Sequence, residues 1–383
     1  MSARDDDDQG PLQPRENDYL IGHEQAEADL KAAFHSEKLA HAWLMTGPRG
    51  IGKATLAYRF ARYVLKNSQA SDAESEIITA GAGLFGEELP ATDNNATDTG
   101  EGLYLPPDDR VFMRTASMGH ADLMSIERQW KDDKQVQRKT TIAVDDVRKV
   151  GGFMRMTPAE GGWRVVIVDA ADEMNHNAAN ALLKVLEEPP VRSLLLLVAH
   201  NPGRLLPTIR SRCRKLPVSA LNDANVTTLL GRYATMIPDH DKKTLIDLAQ
   251  GSIGKALDLA AGGGLDVYDE LNAVLGELPQ LDAVKLHKLG DKLARKENEA
   301  SFRMACELLQ FSLSKVIRCA ATNQSEDNSN PLISRLSGLA TLDRWLEVWE
   351  KVSHLIDRSD AANLDRKQVT LNIFHALAKT VTH

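Results

Sequence analysis

Residues 42–55 read AWLMTGPRGIGKAT, and this stretch decides the fold. Its apolar start predicts a short buried strand, and apolar residues at helical spacing after Lys53 predict a helix. The loop between them contains Gly47, Gly50 and Gly52 and has, with Lys53, the GxxxxGK pattern of a P-loop. In such a loop the backbone amides surround phosphate oxygens and the lysine reaches the terminal phosphates. We therefore expect the first strand, loop and helix of a nucleotide-binding sheet.

Position 54 departs from the usual P-loop pattern. A Ser or Thr normally follows the lysine and supplies a hydroxyl to Mg²⁺. This chain has Ala54 there and Thr55 one residue later, so Thr55 is the candidate hydroxyl ligand. Two interpretations stay open: a loop that binds ATP and Mg²⁺, and a loop that is kept for its fold without useful ATP binding.

A second strand ends in a carboxylate. Residues 164–169, RVVIVD, predict a buried strand that ends at Asp169, which suits the Walker B aspartate that holds Mg²⁺ through water. An ATPase would normally have Glu next, as the base that activates the attacking water, but this chain has Ala170. Loss of that carboxylate slows hydrolysis by about 10²–10⁴-fold. Asp172, the nearest alternative, is expected to cap the following helix, so we do not expect ATP hydrolysis by this chain alone.

The remaining pattern divides the chain into an α/β part and a helical part. Residues 194–199 predict another buried strand, as in a parallel sheet covered on both faces, and after Pro217 only helices are predicted. Gly262, Gly263 and Gly264 suggest a linker. The expected organisation is a disordered leader (1–17), an α/β domain (18–217) with an acidic insertion (67–109), a small helical lid (218–262) and an all-α domain (265–383).

The charge is unevenly distributed. The formal net charge is -8, but residues 67–109 contain ten acids and no Lys or Arg, and the rest of the chain beyond the leader has 44 basic and 39 acidic residues. An acidic chain is a poor independent DNA-binding protein.

The three cysteines form no CxxC pair, so no zinc is expected. No apolar run is long enough to span a bilayer, so we expect a cytoplasmic protein without membrane partners.

A basic stretch follows the last predicted strand. Residues 204–215 carry five positive charges and no acid. Composition alone favours a solvated basic turn. The alternative is that one of these arginines contacts the γ-phosphate bound to a neighbouring subunit, as an arginine finger does.

Three motifs resemble those of the sliding-clamp loaders, a branch of the AAA+ family. They are HAWLMTGPRGIGK (41–53), NALLKVLEEPP (180–190) and LLPTIRSRC (205–213), and the resemblance covers about residues 18–260. It implies an AAA+ P-loop fold in which Arg212, within Ser-Arg-Cys, is the arginine finger. It also implies that His200 occupies the sensor-1 position and that Lys255, in GSIGKAL (251–257), occupies the sensor-2 position, where Arg is common.

The resemblance implies a role in DNA replication. The helical C-terminal domain would be the collar that holds this subunit in a hetero-oligomeric ring with gamma/tau and delta subunits, and the ring would load a sliding clamp on primed DNA. Ala54, Ala170 and the missing zinc-binding cysteine cluster favour a subunit that does not hydrolyse ATP itself but belongs to a DNA polymerase (nucleotidyltransferase) holoenzyme. The alternatives are an ATP-hydrolysing gamma/tau-like motor subunit and an independent DNA-binding repair protein.

Overall fold

The computed structural model describes residues 13–36, 39–80, 102–131, 138–295, 299–322, 330–362 and 364–382. These residues form two compact units. The first contains the residues up to Val226 together with Gly251–Gly254, and the second contains Thr227–Gln250 and the residues from Lys255 onward. Residues 218–262, predicted as a lid, are thus divided between the two units, and the division into three domains stays a prediction.

A five-stranded parallel sheet forms the centre of the first unit. Its strands are β1 (Ala42–Thr46), β2 (Leu123–Glu127), β3 (Arg164–Asp169), β4 (Ser193–Ala199) and β5 (Arg214–Pro217). They lie in the order β2-β3-β4-β1-β5, and all neighbouring strands are parallel. Alternate residues enter two separate cores: in β1, Trp43 and Met45 face one core, and Ala42 and Leu44 face the other. Burial of both faces explains the nearly continuous apolar runs of the inner strands.

Helices cover both faces of the sheet. They are α1 (Glu24–His35), α2 (Lys53–Ala80), α3 (Arg110–Ala116), α4 (Val144–Arg155), α5 (His176–Glu187) and α6 (Pro207–Arg212). Helices α1 and α2 contribute to the core that contains Trp43, whereas α4 and α5 pack together in the core that contains Leu44. The P-loop lies between β1 and α2. The predicted α/β fold, with a parallel sheet and a P-loop, is thereby confirmed.

The second unit is helical in its described residues. Beyond β5 the chain forms α7 (Asp223–Tyr233), α8 (Asp239–Ala249), α9 (Ile253–Ala261), α10 (Gly264–Leu275), α11 (Ala283–Ala294), α12 (Glu299–Thr322), α13 (Pro331–Ser337), α14 (Leu342–Ala362) and α15 (Arg366–Thr382). On α14, Trp345 and Val352 are fully buried, as their helical spacing predicts. The helical character predicted for the C-terminal part is therefore confirmed.

The predicted glycine linker forms a tight turn between two helices. Helix α9 ends at Ala261 and α10 already begins at Gly264. Gly263 adopts a left-handed conformation (φ +65°), which a residue without a Cβ adopts at little cost. The three glycines all lie within the second unit, and their role as a linker between domains stays a prediction.

The acidic insertion is only partly within the described residues. Its first part continues α2, which extends to Ala80 rather than ending near Leu65 as predicted. Residues 81–101 lie outside the described residues, and residues 102–109 are described. Leu103 is fully buried in the core that contains Trp43, so the segment that follows the undescribed part is fixed to the sheet domain.

Arg62 on α2 anchors the segment that precedes α1. It is 1% exposed, and its guanidinium lies 3.8 Å from the centroid of the Phe112 ring. It donates hydrogen bonds to Thr115 Oγ1 (3.0 Å), to the carbonyl of Asn17 (3.3 Å) and to the carbonyl of Arg15. Burial lowers the pKa of Arg62 to about 10, so the side chain is charged at neutral pH. The end of the leader predicted as disordered is therefore held by a buried cation.

Replacing Arg62 with alanine should lower the free energy of unfolding by about 2–4 kcal/mol, because partly buried carbonyls and the buried Thr115 hydroxyl lose their charged donor. Chemical denaturation followed by circular dichroism measures the change. Arg148→Ala is the control: that side chain is 68% exposed and pairs with Asp145 within α4 (3.0 Å), so its loss should change stability by at most about 0.5 kcal/mol. Equal effects of the two substitutions would contradict the anchoring role of Arg62.

Candidate functional site

The P-loop connects the end of β1 to the start of α2. Gly47 and Gly50 have φ values of +151° and +75°. A Cβ on Gly47 would lie 2.1 Å from the carbonyl oxygen of Val218, and one on Gly50 would lie 2.5 Å from Ser252 Oγ. Gly52 also has a positive φ, of +105°. The loop therefore requires glycine at the positions where the sequence places it, and its amides precede the N-terminus of α2, the arrangement that suits an anion.

Lys53 lies within this loop. The residue is 3% exposed, and its ammonium donates hydrogen bonds to the carbonyls of Gly47 (2.7 Å) and Pro48. Burial lowers the pKa of Lys53 to about 8, and the nearby carboxylates of Asp169 and Asp172 oppose that shift. Lys53 thus has loop carbonyls as its partners, and its contact with phosphate stays a prediction.

Three further hydrogen bonds hold the P-loop from outside. Ser252 Oγ donates to the carbonyl of Arg49 (2.7 Å), and the amide of Gly254 donates to the carbonyl of Gly50 (2.8 Å). On the other side, His23 Nε2 donates to the carbonyl of Ile51 (2.6 Å). The predicted sensor-2 turn therefore contacts the loop through its backbone and Ser252, and neither this contact nor that of His23 was predicted from the sequence.

Asp169 lies at the carboxyl end of β3, as predicted, beside a carboxylate that the sequence analysis missed. Glu127 ends β2 and pairs in register with Asp169, so both side chains point to the same face of the sheet. The pKa of Asp169 is raised to about 6, first by burial and then by Glu127 and Glu173, while Lys53 opposes the shift. Glu127 was missed because β2 combines apolar and polar residues, which leaves no clear strand pattern.

Asp172 does not cap a helix, and this prediction was wrong. Its carboxylate accepts hydrogen bonds from the amides of His200 (3.0 Å) and Asn201 (2.8 Å). Asn175 caps α5 instead, through a bond from the amide of Ala178 (2.8 Å). Asp172, three residues after the end of β3, contacts the chain just after the neighbouring strand β4. It therefore links the carboxyl ends of these two strands.

His200 lies close to Lys53, at the end of β4. Burial lowers the pKa of His200, and the Lys53 ammonium adds to this effect, so the ring is neutral at pH 7. Its Nδ1 atom is buried and has no hydrogen-bond partner among the described residues. The structure thus brings together Lys53, Asp169 and His200, three of the side chains predicted for the nucleotide site.

The hydroxyl of Thr55 as a ligand of Mg²⁺ stays a prediction. Thr55 is 6% exposed in the first turn of α2, and adjacent helical residues point about 100° apart. Ala54 occupies the position that follows the P-loop lysine and carries no polar atom. No group of three or more His, Cys, Asp or Glu side chains in the described residues is arranged to hold a metal ion.

Arg212 lies at the opposite edge of the sheet from the P-loop. It is the last residue of α6, and β5 begins two residues later at Arg214, which pairs with Trp43 near the start of β1. The P-loop follows the other end of β1. The guanidinium of Arg212 contacts Glu187 Oε1 (2.9 Å) and donates to the carbonyl of Thr208 (3.1 Å). The structure therefore does not bring Arg212 to the P-loop of its own chain.

Lys255, predicted at the sensor-2 position, packs within the helical unit. Its ammonium lies 5.7 Å from the centroid of the Phe311 ring on α12. Burial lowers the pKa of Lys255, and Glu307 opposes the shift. A contact of Lys255 with nucleotide stays a prediction.

No helix in the described ranges is long and apolar enough to cross a bilayer.

Comparisons with known proteins agree on one functional context. Residues 110–222 match the family model described as DNA polymerase III, delta subunit. The chain is 34% identical over 246 residues to DNA polymerase III subunit delta′ of Pseudomonas aeruginosa, which covers 63% of this chain and 61% of that protein. It is 26% identical over 290 residues to subunit gamma/tau of Mycobacterium tuberculosis, covering 74% and 43%.

A solved structure of a DNA polymerase III gamma subunit-related protein from Thermotoga maritima is similar at a TM-score of 0.38 and 18% identity, covering 92% of this chain and 99% of that one. The matched region spans less than two thirds of the length of either curated relative. By sequence, the chain is similar to the delta′ and gamma/tau subunits of DNA polymerase III.

Proposed function

We propose that this chain is a clamp-loader subunit of the DNA polymerase III holoenzyme and has the role of the delta′ subunit. It acts as a stator and supplies Arg212 as an arginine finger to a neighbouring ATPase subunit, so that the sliding clamp is loaded on primed DNA. The observation that supports this most is the position of Arg212 at the sheet edge opposite the P-loop of its own chain.

The dimensions of the sheet argue for action on a neighbour. The start of β5 pairs with Trp43, and the P-loop begins at Gly47, a separation of roughly 13 Å along the strand. An arginine side chain is too short to cross that distance, so Arg212 cannot reach a phosphate bound by Lys53. At an exposed edge, however, its planar and permanently charged guanidinium suits contact with a γ-phosphate held by another subunit.

The partners follow from the same role. We infer a hetero-oligomeric ring with gamma/tau and delta subunits, in which the helical unit serves as the collar. The sliding clamp and primed DNA are contacted through the complex, in the bacterial cytoplasm at the replication fork. The net charge of -8 is consistent with DNA binding by the assembly rather than by the isolated chain.

The chain's own nucleotide site fits phosphates better than it fits Mg²⁺. Gly47, Gly50, Gly52 and Lys53 would hold the phosphates, and Asp169 would hold the metal through water. Bound Mg²⁺ would neutralise charge that develops on the phosphates. The hydroxyl ligand is missing at Ala54 and the base is missing at Ala170, so the residues present do not complete a hydrolytic site.

The alternative function is that of a gamma/tau-like motor subunit that hydrolyses ATP. Lys53, Asp169 and Thr55 favour nucleotide binding, whereas Ala54 and Ala170 argue against turnover. The chain would then be an enzyme in its own right, rather than a subunit of a nucleotidyltransferase holoenzyme that stimulates hydrolysis elsewhere.

Arg212→Ala should reduce the ATPase rate of the reconstituted loader, stimulated by clamp and primed DNA, by about 10³-fold at the site it serves, since an arginine finger contributes about 10³–10⁵ to kcat. Arg212→Lys should give an intermediate rate, because a point charge cannot reproduce the forked contact. Arg204→Ala is the control: this exposed arginine of the same basic stretch follows the carboxyl end of β4, at the other edge of the sheet. An unchanged rate for Arg212→Ala would refute the finger assignment.

The isolated chain should show no measurable steady-state ATPase activity. Without a carboxylate at position 170, its turnover should lie about 10²–10⁴-fold below that of a complete site. Fluorescent-nucleotide titration with Mg²⁺ and with EDTA should give similar affinities for the wild type, and Ala54→Thr should introduce Mg²⁺ dependence by supplying the hydroxyl ligand. Robust turnover that Lys53→Ala abolishes would instead support the motor subunit.

A further inference from the structure

Two helices of the first unit end side by side at the amino edge of the sheet. Helix α5 ends at Glu187 and α6 ends at Arg212, and the two helices pack against each other. Arg212 Nη2 lies 2.9 Å from Glu187 Oε1, and Arg212 Nη1 donates to the carbonyl of Thr208 at 3.1 Å. The two terminal nitrogens of the guanidinium therefore have separate anchors.

Helix stability does not explain Glu187. The C-terminus of a helix carries partial negative charge, so a cation there is stabilising and a carboxylate is not. Arg212 at the end of α6 follows this rule, whereas Glu187 at the end of α5 breaks it. An ion pair whose side chains are 37% and 49% exposed also contributes little to folding stability. The placement of Glu187 therefore calls for a role other than stabilising the fold.

The two anchors restrict the guanidinium without enclosing it. Arginine has many rotamers, and a free side chain must lose that freedom each time it contacts a phosphate. Glu187 and the carbonyl of Thr208 fix the plane of the group, while five N–H donors leave others available for a ligand. Since the pair is exposed, a phosphate of a neighbouring subunit can approach the remaining donors.

We propose that Glu187 is a positioning residue that holds Arg212 in the orientation needed for a phosphate of the adjacent subunit. This inference rests on the proposed function, because Glu187 can position Arg212 for a phosphate only if Arg212 contacts a neighbouring subunit. Glu187 does not contact the nucleotide itself. Its effect on the neighbour's hydrolysis passes entirely through Arg212, and this distinguishes positioning from a general structural role.

The test uses the reconstituted loader with clamp and primed DNA. Glu187→Ala should lower kcat about tenfold and leave the KM for ATP within about twofold, because orientation in the transition state is lost rather than nucleotide binding. Glu187→Gln should retain most of the rate, since the amide oxygen still accepts from Arg212. Glu188→Ala is the matched control, a neighbouring exposed carboxylate, and should leave the rate unchanged.

A double-mutant cycle tests whether Glu187 affects the hydrolysis rate only through Arg212. The double variant Glu187→Ala with Arg212→Ala should be no slower than Arg212→Ala alone. A further loss in the double variant, or a wild-type rate for Glu187→Ala beside a slow Arg212→Ala, would overturn the positioning role and leave the finger intact. Faster hydrolysis by both Glu187 variants would also overturn it, because the carboxylate would then compete with the phosphate. A wild-type rate for Arg212→Ala would instead remove the proposed function itself.

Discussion

The parallel pairing of β1 with β4 and β5 is the constraint on which the rest of the α/β unit depends. Because these strands run in the same direction, every loop that leaves a carboxyl end lies at one edge, and every residue that precedes a strand lies at the other. The P-loop, Asp169 and His200 consequently converge at one edge. Arg212 is excluded from that group by the same geometry, so the sheet separates Arg212 from the P-loop.

At the carboxyl ends of the strands, hydrogen bonds from other residues of the same chain hold the P-loop. Carbonyls along Gly47–Ile51 accept hydrogen bonds from Lys53, Ser252, Gly254 and His23. These hydrogen bonds within the protein stabilise the shape of the loop.

Much of the fold could be predicted because it depends on local pattern. The apolar runs of β1, β3 and β4 and the GxxxxGK loop each identify an element within a few residues. What the sequence could not reveal depends on contacts between distant residues. Glu187 meets Arg212 across 25 positions, and Asp172 binds amides 28 and 29 positions later. Edge strand β2, with its mixed polarity, has no periodic signal strong enough to predict.

Strand β5 affects how copies of this chain can contact one another. It is an edge strand, paired with another strand on one side only. The unpaired backbone groups on its other side would ordinarily recruit a strand from another molecule. Here the exposed side chains of Arg214 and Lys215 and a terminal Pro217 discourage that pairing, since like charges repel an approaching copy and proline lacks an amide hydrogen. Sheets of neighbouring molecules are therefore kept from fusing into a continuous ribbon, and packing between copies is left to side chains.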